Sequence, residues 1–272
     1  MNRTALGFAV VAVLVVASVA CGQSVPALVA EAEALLPVRY ERPNLEAAIR
    51  LYEQTLAQEP GNPAYLARLA QLWYEWAVLV PLELEEQGWR KAAEFGFQAL
   101  GLSGLAAVQG LSDAAFRQFL AAATDAAPIL WAAHGWGQLL GTMNPFAAFG
   151  SLPKIRAMYE RVIELDPAYH GGSGPQAYGA LLANLSDWGI LFGVKLADAK
   201  AQFERAMTLD PSYLENYVAY AKEYAVRAKN RALFEQLLGH VLATPIGDWP
   251  FWNRHAKDKA AQYLAQASAW FR

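Results

Sequence analysis

Apolar and polar positions repeat in the same order in three segments of the chain. In each segment, a small or aliphatic residue, an aromatic residue, a second small or aliphatic residue and a proline follow at spacings of four, three and five. Residues three or four apart lie on one face of an α-helix, and a proline ends the helix before it. The pattern therefore predicts three amphipathic helices, each with a buried stripe. The sets are Ala48, Tyr52, Thr55 and Pro60; Ile155, Tyr159, Val162 and Pro167; and Ala199, Phe203, Ala206 and Pro211.

A second apolar pattern follows these prolines and predicts a partner helix for each stripe. Its sets are Leu66, Leu69, Ala70 and Trp73; Tyr217, Tyr220, Ala221 and Tyr224; and a shifted version, Tyr178, Leu181, Leu182 and Leu185. Pro245 follows Pro211 after 34 residues, which is the period of the tetratricopeptide repeat, a helical hairpin. No stretch favours a strand. We predict an all-α fold in which tetratricopeptide-like hairpins form a solenoid or bundle.

The stretch "WAAHGWGQ" carries a degenerate copy of the second pattern, in which Trp131, His134, Gly135 and Gln138 take its four places. Gly135 indicates a close approach of two helices, in a helix that begins near Pro128, and Trp136 is expected to pack on another face. His134 and Gln138 put two polar groups on an inward face, where each must find a partner. They either bond to each other, to a backbone carbonyl or to buried water, or they line a cavity.

The remaining segments complete the helical prediction. "LEEQGWRKAAEFGFQAL" is an amphipathic helix with Ala93, Phe97 and Leu100 inward, and Ser112 is expected to cap a further helix. Proline and glycine predict loops in "MNPFAAFGSLP", "HGGSGPQ" and "TPIGDWPFWNRH". We interpret "HGGSGP" as a linker that enters a helix at Pro175. The aromatic residues of the third loop are expected to hold the last helix in place.

The N-terminus is typical of a secretory signal. Arg3 precedes the apolar run Leu6 to Val16, which is shorter than the roughly 20 residues that span a membrane. Cys21 is the sole cysteine and directly follows "SVA", a position that resembles a bacterial lipoprotein cleavage site, although Ser18 stands where leucine is usual. We predict a signal peptide over residues 1–20, lipidation of Cys21 and a single helical domain over residues 21–272.

Charge and motifs give no sign of nucleic-acid binding or catalysis. The net charge is −3, and lysine and arginine are scattered rather than arranged in a stripe. The four histidines form no metal-binding pair at helical spacing, and neither a nucleophile elbow nor a phosphate loop is present. We expect no catalytic activity, no cofactor and no metal.

Several longer stretches resemble the T-component family of TRAP transporters. They are "APILWAAHGWGQLLG", "LPKIRAMYERVIELDPAYHGGSGPQAYGALLANL" and "LADAKAQFERAMTLDPSYLENYVAYAKEYAVRAKNRALFEQLLGHVLAT", and the resemblance extends from about Pro43 to Thr244. It implies a periplasmic lipoprotein with an internal apolar channel, and we expect the lipid anchor to lie in the outer membrane. It also implies a homotrimer that docks the solute-binding subunit (the P-component) and takes an apolar organic acid or a lipid-like molecule as ligand.

A channel in a helical solenoid should be apolar, with a few polar groups that orient the ligand. Candidate wall residues are Trp131, His134, Gln138, Tyr178 and Trp188. The alternative function is an outer-membrane assembly or scaffold lipoprotein that binds peptides on its concave repeat surface. The leucine, tyrosine and tryptophan residues of the first helices favour an apolar interior.

Overall fold

The computed structural model describes residues 23–188 and 193–271, and in these residues the chain forms α-helices and no strand. The predicted signal peptide and Cys21 lie outside the described residues. The first seven helices are α1 (Val25–Leu35), α2 (Arg42–Gln58), α3 (Pro63–Leu79), α4 (Leu82–Ala99), α5 (Leu105–Gln109), α6 (Asp113–Ala121) and α7 (Ala126–Leu139). The next six are α8 (Pro145–Leu165), α9 (Tyr169–Ser186), α10 (Leu196–Leu209), α11 (Glu215–Ala219), α12 (Arg231–Ala243) and α13 (Pro250–Trp270). A π-helical segment, Tyr220–Ala225, continues α11.

The predicted repeat stripes are confirmed as buried faces. They lie on α2, on the second half of α8 and on α10, and their aromatic residues Tyr52, Tyr159 and Phe203 are buried. In the partner helices, Leu69, Ala70 and Ala221 are fully buried. Consecutive helices therefore pack as hairpins, as the repeat requires.

Close packing of α7 on α4 is confirmed at Gly135. A Cβ atom on Gly135 would lie 2.4 Å from the backbone oxygen of Trp89, so glycine is needed there. Trp136 is fully buried and packs edge-on against Phe97, with ring centroids 5.7 Å apart. The expected helix at Ser112 is also present, because the Ser112 hydroxyl accepts a hydrogen bond from the backbone N–H of Ala115.

The loop predicted over "MNPFAAFGSLP" is wrong, because most of this stretch forms the first turns of α8. Asn144 caps the helix by accepting the N–H of Ala147, and Pro145 takes the first helical position, where a missing N–H costs no hydrogen bond. Pro153 lies inside the helix. The third predicted loop is correct only as far as Trp249, since α13 begins at Pro250.

The linker interpretation of "HGGSGP" is confirmed for its first three residues, whereas Ser173 and Gly174 already belong to the helix expected to begin at Pro175. Backbone φ angles of 50°, 67° and 80° at His170, Gly171 and Gly172 interrupt α9 just after its start. Left-handed backbone suits glycine and is costly for other residues. Regular helix then continues through Pro175 to Ser186.

The last helix returns to the start of the repeats. The ring of Trp252 on α13 lies 6.2 Å from Tyr74 on α3 and 6.5 Å from Trp131 on α7. Arg254 stacks over Tyr40 in the turn after α1, at 4.2 Å from the ring centroid. Helix α13 thus covers the inner side of the early repeats and leaves a space beside it.

Candidate functional site: a cavity beside the last helix

A cavity of about 770 Å³ lies between α13 and the repeat helices. We call it the main lobe. It continues into a side lobe of about 350 Å³, and the two lobes share wall residues from α3, α7, α9, α11 and α13. The shared residues are Tyr74, His134, Gln138, Gln176, Glu215, His255, Lys259 and Tyr263. The main lobe has the size typical of small-molecule sites, about 300–1,000 Å³.

One wall of the main lobe is apolar. It is formed by Leu152 and Ile155 of α8 and by Ala177, Ala180 and Leu181 of α9. The small alanine side chains leave the space open, while the leucine and isoleucine side chains provide apolar contact area. Such a surface favours an aliphatic or aromatic ligand over a polar one.

His134 and Gln138 both line the two lobes, and each is bonded to a different tyrosine. His134 Nδ1 lies 3.3 Å from the Tyr159 hydroxyl, which donates to the backbone oxygen of Ala133 at 3.3 Å. Gln138 Nε2 donates to the Tyr74 hydroxyl at 3.3 Å. Both side chains thus face the cavity, and their polar groups are bonded to tyrosines rather than to each other.

This part of the wall is polar but uncharged at neutral pH. Burial lowers the pKa of His134 to about 3, so its imidazole stays neutral. Burial raises the pKa of Tyr74 to about 12 and raises that of Tyr159 as well. These groups can exchange hydrogen bonds with a ligand without presenting a charge to it.

The other three candidate wall residues have different environments. Trp131 is buried, lines the side lobe and donates from Nε1 to the Tyr169 hydroxyl at 3.3 Å. Trp188 is 55% exposed at the rim of the main lobe, where its ring meets that of Phe149 edge-on.

Tyr178 does not belong to the wall of either lobe, so the expectation for this residue needs correction. Its hydroxyl donates to Glu160 at 2.9 Å, and Arg156 lies over its ring. Both partners are on α8, because Tyr178 lies on the side of α9 that packs against that helix. Its neighbour Ala177 is the residue that lines the main lobe.

Sequence reasoning missed the face of α13. His255, Lys259 and Tyr263 follow one another at spacings of four and line both lobes. His255 Nδ1 lies 2.6 Å from a carboxylate oxygen of Glu215 on α11. The spacing in "HAKDKAAQY" shows that these residues share a helical face. It does not show that the helix folds back onto the early repeats.

Two further observations concern metal binding and membrane crossing in the described part of the chain. Residues 23–188 and 193–271 contain no group of three His, Cys, Asp or Glu side chains placed to hold a metal ion. In the same residues, no helix combines the length and apolar character that crossing a membrane requires.

The fold is similar to that of known tetratricopeptide proteins. A thermophilic TPR protein of Thermus thermophilus aligns with a TM-score of 0.58 and 15% identity, over 88% of this chain and 100% of that chain. The TPR2AB domain of yeast Sti1, solved in a complex with pHSP90, aligns with a TM-score of 0.29 and 13% identity, over 91% of this chain and 96% of that chain. Only the first alignment is close enough to support the fold.

No curated protein sequence matches the chain. The family model of the TRAP transporter T-component matches residues 42–271, which include all the repeat helices, the cavity wall and α13. The chain therefore belongs to the TRAP transporter T-component family.

Proposed function

We propose that this T-component holds an apolar organic ligand in the cavity and docks the periplasmic solute-binding subunit of its TRAP transporter. The cavity is the observation that carries the proposal. It combines an apolar wall on α8 and α9 with a few polar groups that are already oriented, such as His134 and Gln138. This combination is typical of small-molecule sites.

We propose that the protein lies in the periplasm. Acyl chains on Cys21 attach it to the outer membrane after residues 1–20 are removed. Two or more acyl chains give stable attachment, whereas one chain is marginal. We further propose a homotrimer, in keeping with the family resemblance. In this arrangement a ligand passes between the docked subunit and the cavity.

The position of α13 favours this function over peptide binding. A tetratricopeptide scaffold that binds a peptide needs a free inner surface on its first helices. Here, Trp252 of α13 packs against Tyr74 and Trp131, which lie on two of these helices. Part of the inner surface of the early repeats is therefore occupied by the chain itself.

The first test is a crosslinked pull-down of the full-length protein from its own membranes. Mass spectrometry would identify both the captured proteins and the co-extracted small molecules. We expect a solute-binding subunit of a TRAP system together with an apolar organic molecule. Recovery of outer-membrane assembly proteins with no small molecule would contradict the proposal and support a scaffold function.

A double variant tests the ligand-holding part separately. His134→Leu with Gln138→Leu removes two polar groups from the wall, while Tyr159 keeps its hydrogen bond to the Ala133 carbonyl. We expect the variant to fold and to change the amount of co-purified ligand several-fold. The matched control is His240→Leu, at an exposed position of α12. Unchanged ligand retention in the double variant would show that the cavity assignment is wrong.

A further inference from the structure

We infer that the cavity selects a ligand whose polar end is an uncharged hydroxyl, and that it discriminates against carboxylates. The ligand hydroxyl accepts a hydrogen bond from the Tyr74 hydroxyl and donates one to Nε2 of His134. The inference rests on the proposed ligand-holding function. It adds the chemical class of the ligand's polar end and the two residues that recognise it, and it departs from the organic acid that the family resemblance allows.

The contacts of Tyr159 determine which nitrogen of His134 carries the proton. The Tyr159 hydroxyl oxygen lies 3.3 Å from the backbone oxygen of Ala133, which can only accept, so the hydroxyl proton lies between these two oxygens. His134 Nδ1 lies 3.3 Å from the same hydroxyl and therefore faces a lone pair of its oxygen. Nδ1 is then the protonated donor, and Nε2 of the neutral imidazole is left as an acceptor.

Nε2 of His134 is available to a ligand. It bonds to no group in the described part of the chain and, unlike the unpaired Nε2 of His170, it is not closed off by surrounding atoms. His134 itself lines both lobes. Burial lowers the pKa of His134 to about 3, so Nε2 keeps its lone pair at neutral pH. An acceptor of this kind needs a ligand group that donates.

The Tyr74 hydroxyl supplies a donor beside this acceptor. Gln138 Nε2 donates to the Tyr74 oxygen at 3.3 Å, which leaves the hydroxyl proton of Tyr74 free. Residues 23–188 and 193–271 offer no acceptor for this proton. The rings of Tyr74 and His134 are neighbours, with centroids 5.2 Å apart. One donor and one acceptor are thus within reach of a single small ligand group.

A hydroxyl matches this pair, whereas a carboxylate does not. A hydroxyl accepts from Tyr74 with a lone pair and donates its own proton to His134. The oxygens of an ionised carboxylate only accept, so a carboxylate would turn negative charge toward the lone pair of His134 Nε2. A site built to bond a hydroxyl rejects analogues that lack its proton, because a buried polar group then stays unpaired.

The wall around this pair is uncharged and continues into the apolar surface. Among the described residues, those that line the main lobe on α3, α7 and α8 include no aspartate, glutamate, lysine or arginine. Leu152, Ile155 and Tyr159 follow one another at spacings of three and four, so they share one face of α8. A ligand hydroxyl at Tyr74 and His134 therefore places its hydrocarbon chain along α8, toward Leu152.

The charged side chains of the main lobe come from a later part of the chain. Within the described residues, all of them lie at Asp187 or beyond. Most already have partners, which are Glu215 with His255, Glu223 and Asp187 with Arg227, and Lys222 with the Trp270 ring. Lys259 forms no ion pair in the described part of the chain, so it is the side chain on which an anionic ligand would depend.

The tautomer of His134 is tested by NMR of the imidazole nitrogens in the full-length lipidated protein, labelled at histidine and held in lipid nanodiscs. His134→Phe assigns the signals among the four histidines. We expect a protonated Nδ1 and a bare Nε2 in the natural chain. Tyr159→Phe lacks the hydroxyl that fixes this form, so its proton should be shared between both nitrogens. A protonated Nε2 in the natural chain would overturn the inference, because His134 would then be a donor suited to a carboxylate.

Three photoreactive probes with the same diazirine-bearing chain test the selectivity. Dodecanol donates and accepts, dodecyl methyl ether only accepts, and dodecanoate is a charged acceptor. Each is added to the full-length lipidated protein in nanodiscs, and crosslinked peptides are mapped by mass spectrometry, which separates labelling of the cavity from partition into lipid. We expect saturable labelling of α8 peptides, with half-saturation at about tenfold lower concentration for dodecanol than for the other two probes.

Two variants separate the acceptor from the donor. His134→Phe keeps a ring but removes the acceptor, so half-saturation by dodecanol should rise about tenfold and its advantage over the ether should be lost. Tyr74→Phe removes the donor that both of these probes use, so both should weaken while the preference for dodecanol remains. The matched control is His240→Phe, at an exposed position of α12 outside both lobes, and it should behave like the natural chain.

Two outcomes contradict the inference alone. If dodecanoate labels the cavity at lower concentration than dodecanol, and Lys259→Gln removes this preference, the cavity selects an anion through its lysine. If dodecanol and the ether half-saturate at the same concentration, the cavity holds ligands but does not recognise a hydroxyl. If no probe gives saturable labelling of α8 in the natural chain, the proposed ligand-holding function itself fails, and the inference fails with it.

Discussion

At the scale of single residues, Gly135 lies where α7 and α4 pack closely. We expect Gly135→Ala to lower the free energy of unfolding by about 1–3 kcal/mol, because a Cβ atom there would lie 2.4 Å from the Trp89 backbone oxygen. Neither backbone can give way without moving its helix. Urea denaturation, followed by tryptophan fluorescence, measures the change.

The matched control for this prediction is Gly239→Ala on α12. No atom lies within 4 Å of a Cβ atom built at Gly239, and the position is exposed. Alanine is the better helix former, so this variant should gain about 0.5–1 kcal/mol. Equal effects of the two substitutions would mean that α7 and α4 are not packed as closely as described.

His134 makes stability depend on pH in a predictable direction. Its pKa is lowered from 6.5 to about 3 in the folded protein, since burial disfavours the imidazolium. Below pH 6.5 the unfolded chain therefore binds a proton that the folded chain does not. The free energy of unfolding falls as pH is lowered through this range, with a slope that approaches about 1.4 kcal/mol per pH unit for this group.

His134→Leu removes the contribution of this imidazole to the pH dependence. The slope of the free energy of unfolding against pH should therefore become shallower between pH 7 and pH 5. Burial also lowers the pKa of His170, so part of the dependence should remain in the variant. Urea denaturation at three pH values would measure both slopes. Identical slopes in the natural chain and the variant would show that His134 is not held in its neutral form by burial.

Predictions for single residues succeed where local spacing determines the environment. Gly135, Trp136 and Ser112 have the roles that their positions in the helical pattern indicate. The partners of His134 and Gln138 could not be predicted, because Tyr159 and Tyr74 come from other helices, 25 and 64 positions away along the chain. Only the packing of three helices brings these side chains together.

At the scale of helices, the bend in α9 sets the direction in which this helix leaves α8. Gly171 has φ +67°, and its Cβ position lies 2.5 Å from the Tyr213 ring, so alanine would meet both backbone strain and a clash. We expect Gly171→Ala to lower the free energy of unfolding by about 2–5 kcal/mol. Thermal unfolding followed by circular dichroism would detect a loss of this size.

Gly61→Ala separates the effect of backbone strain from the effect of the clash with a neighbouring side chain. Gly61 also has positive φ, at +81°, but no atom lies within 4 Å of its Cβ position. Its substitution should therefore cost the backbone strain alone, about 1–2 kcal/mol. A Gly171 variant no less stable than the Gly61 variant would contradict the close contact with Tyr213.

Helices with a repeated apolar face could be predicted from sequence, and irregular ones could not. The stripes of α2, α8 and α10 follow from the spacing of their aromatic residues. The sequence predicts a loop at the start of α8, because this stretch is rich in proline and glycine. The capping side chain of Asn144 and a proline at the first helical position make that composition compatible with a helix.

At the scale of the whole molecule, the decisive feature is the return of α13 to the first repeats, which supplies one wall of the cavity. No local pattern predicts it, because the contacts join residues more than a hundred positions apart. Trp252 meets Tyr74, and Arg254 stacks on Tyr40. The wall residues that sequence reasoning missed, including Lys259 and His255, are on this helix.

A buried ion pair lies where the two ends of the described chain meet, and it provides the last prediction. Arg39 contacts the fully buried Glu75 through two hydrogen bonds, at 2.7 Å and 3.0 Å, and its guanidinium lies 5.6 Å from the ring centroid of Phe251 on α13. Glu75→Ala leaves Arg39 largely buried without its counter-charge. We expect a loss of about 3–5 kcal/mol in the free energy of unfolding and faster hydrogen exchange in α13.

Glu86→Ala, which breaks an exposed pair with Arg90 on α4, should change the free energy of unfolding by less than about 1 kcal/mol. If α13 exchanges no faster in the Glu75 variant than in the Glu86 variant, the ion pair does not help to keep the last helix on the early repeats, and the aromatic contacts of Trp252 must do so without it.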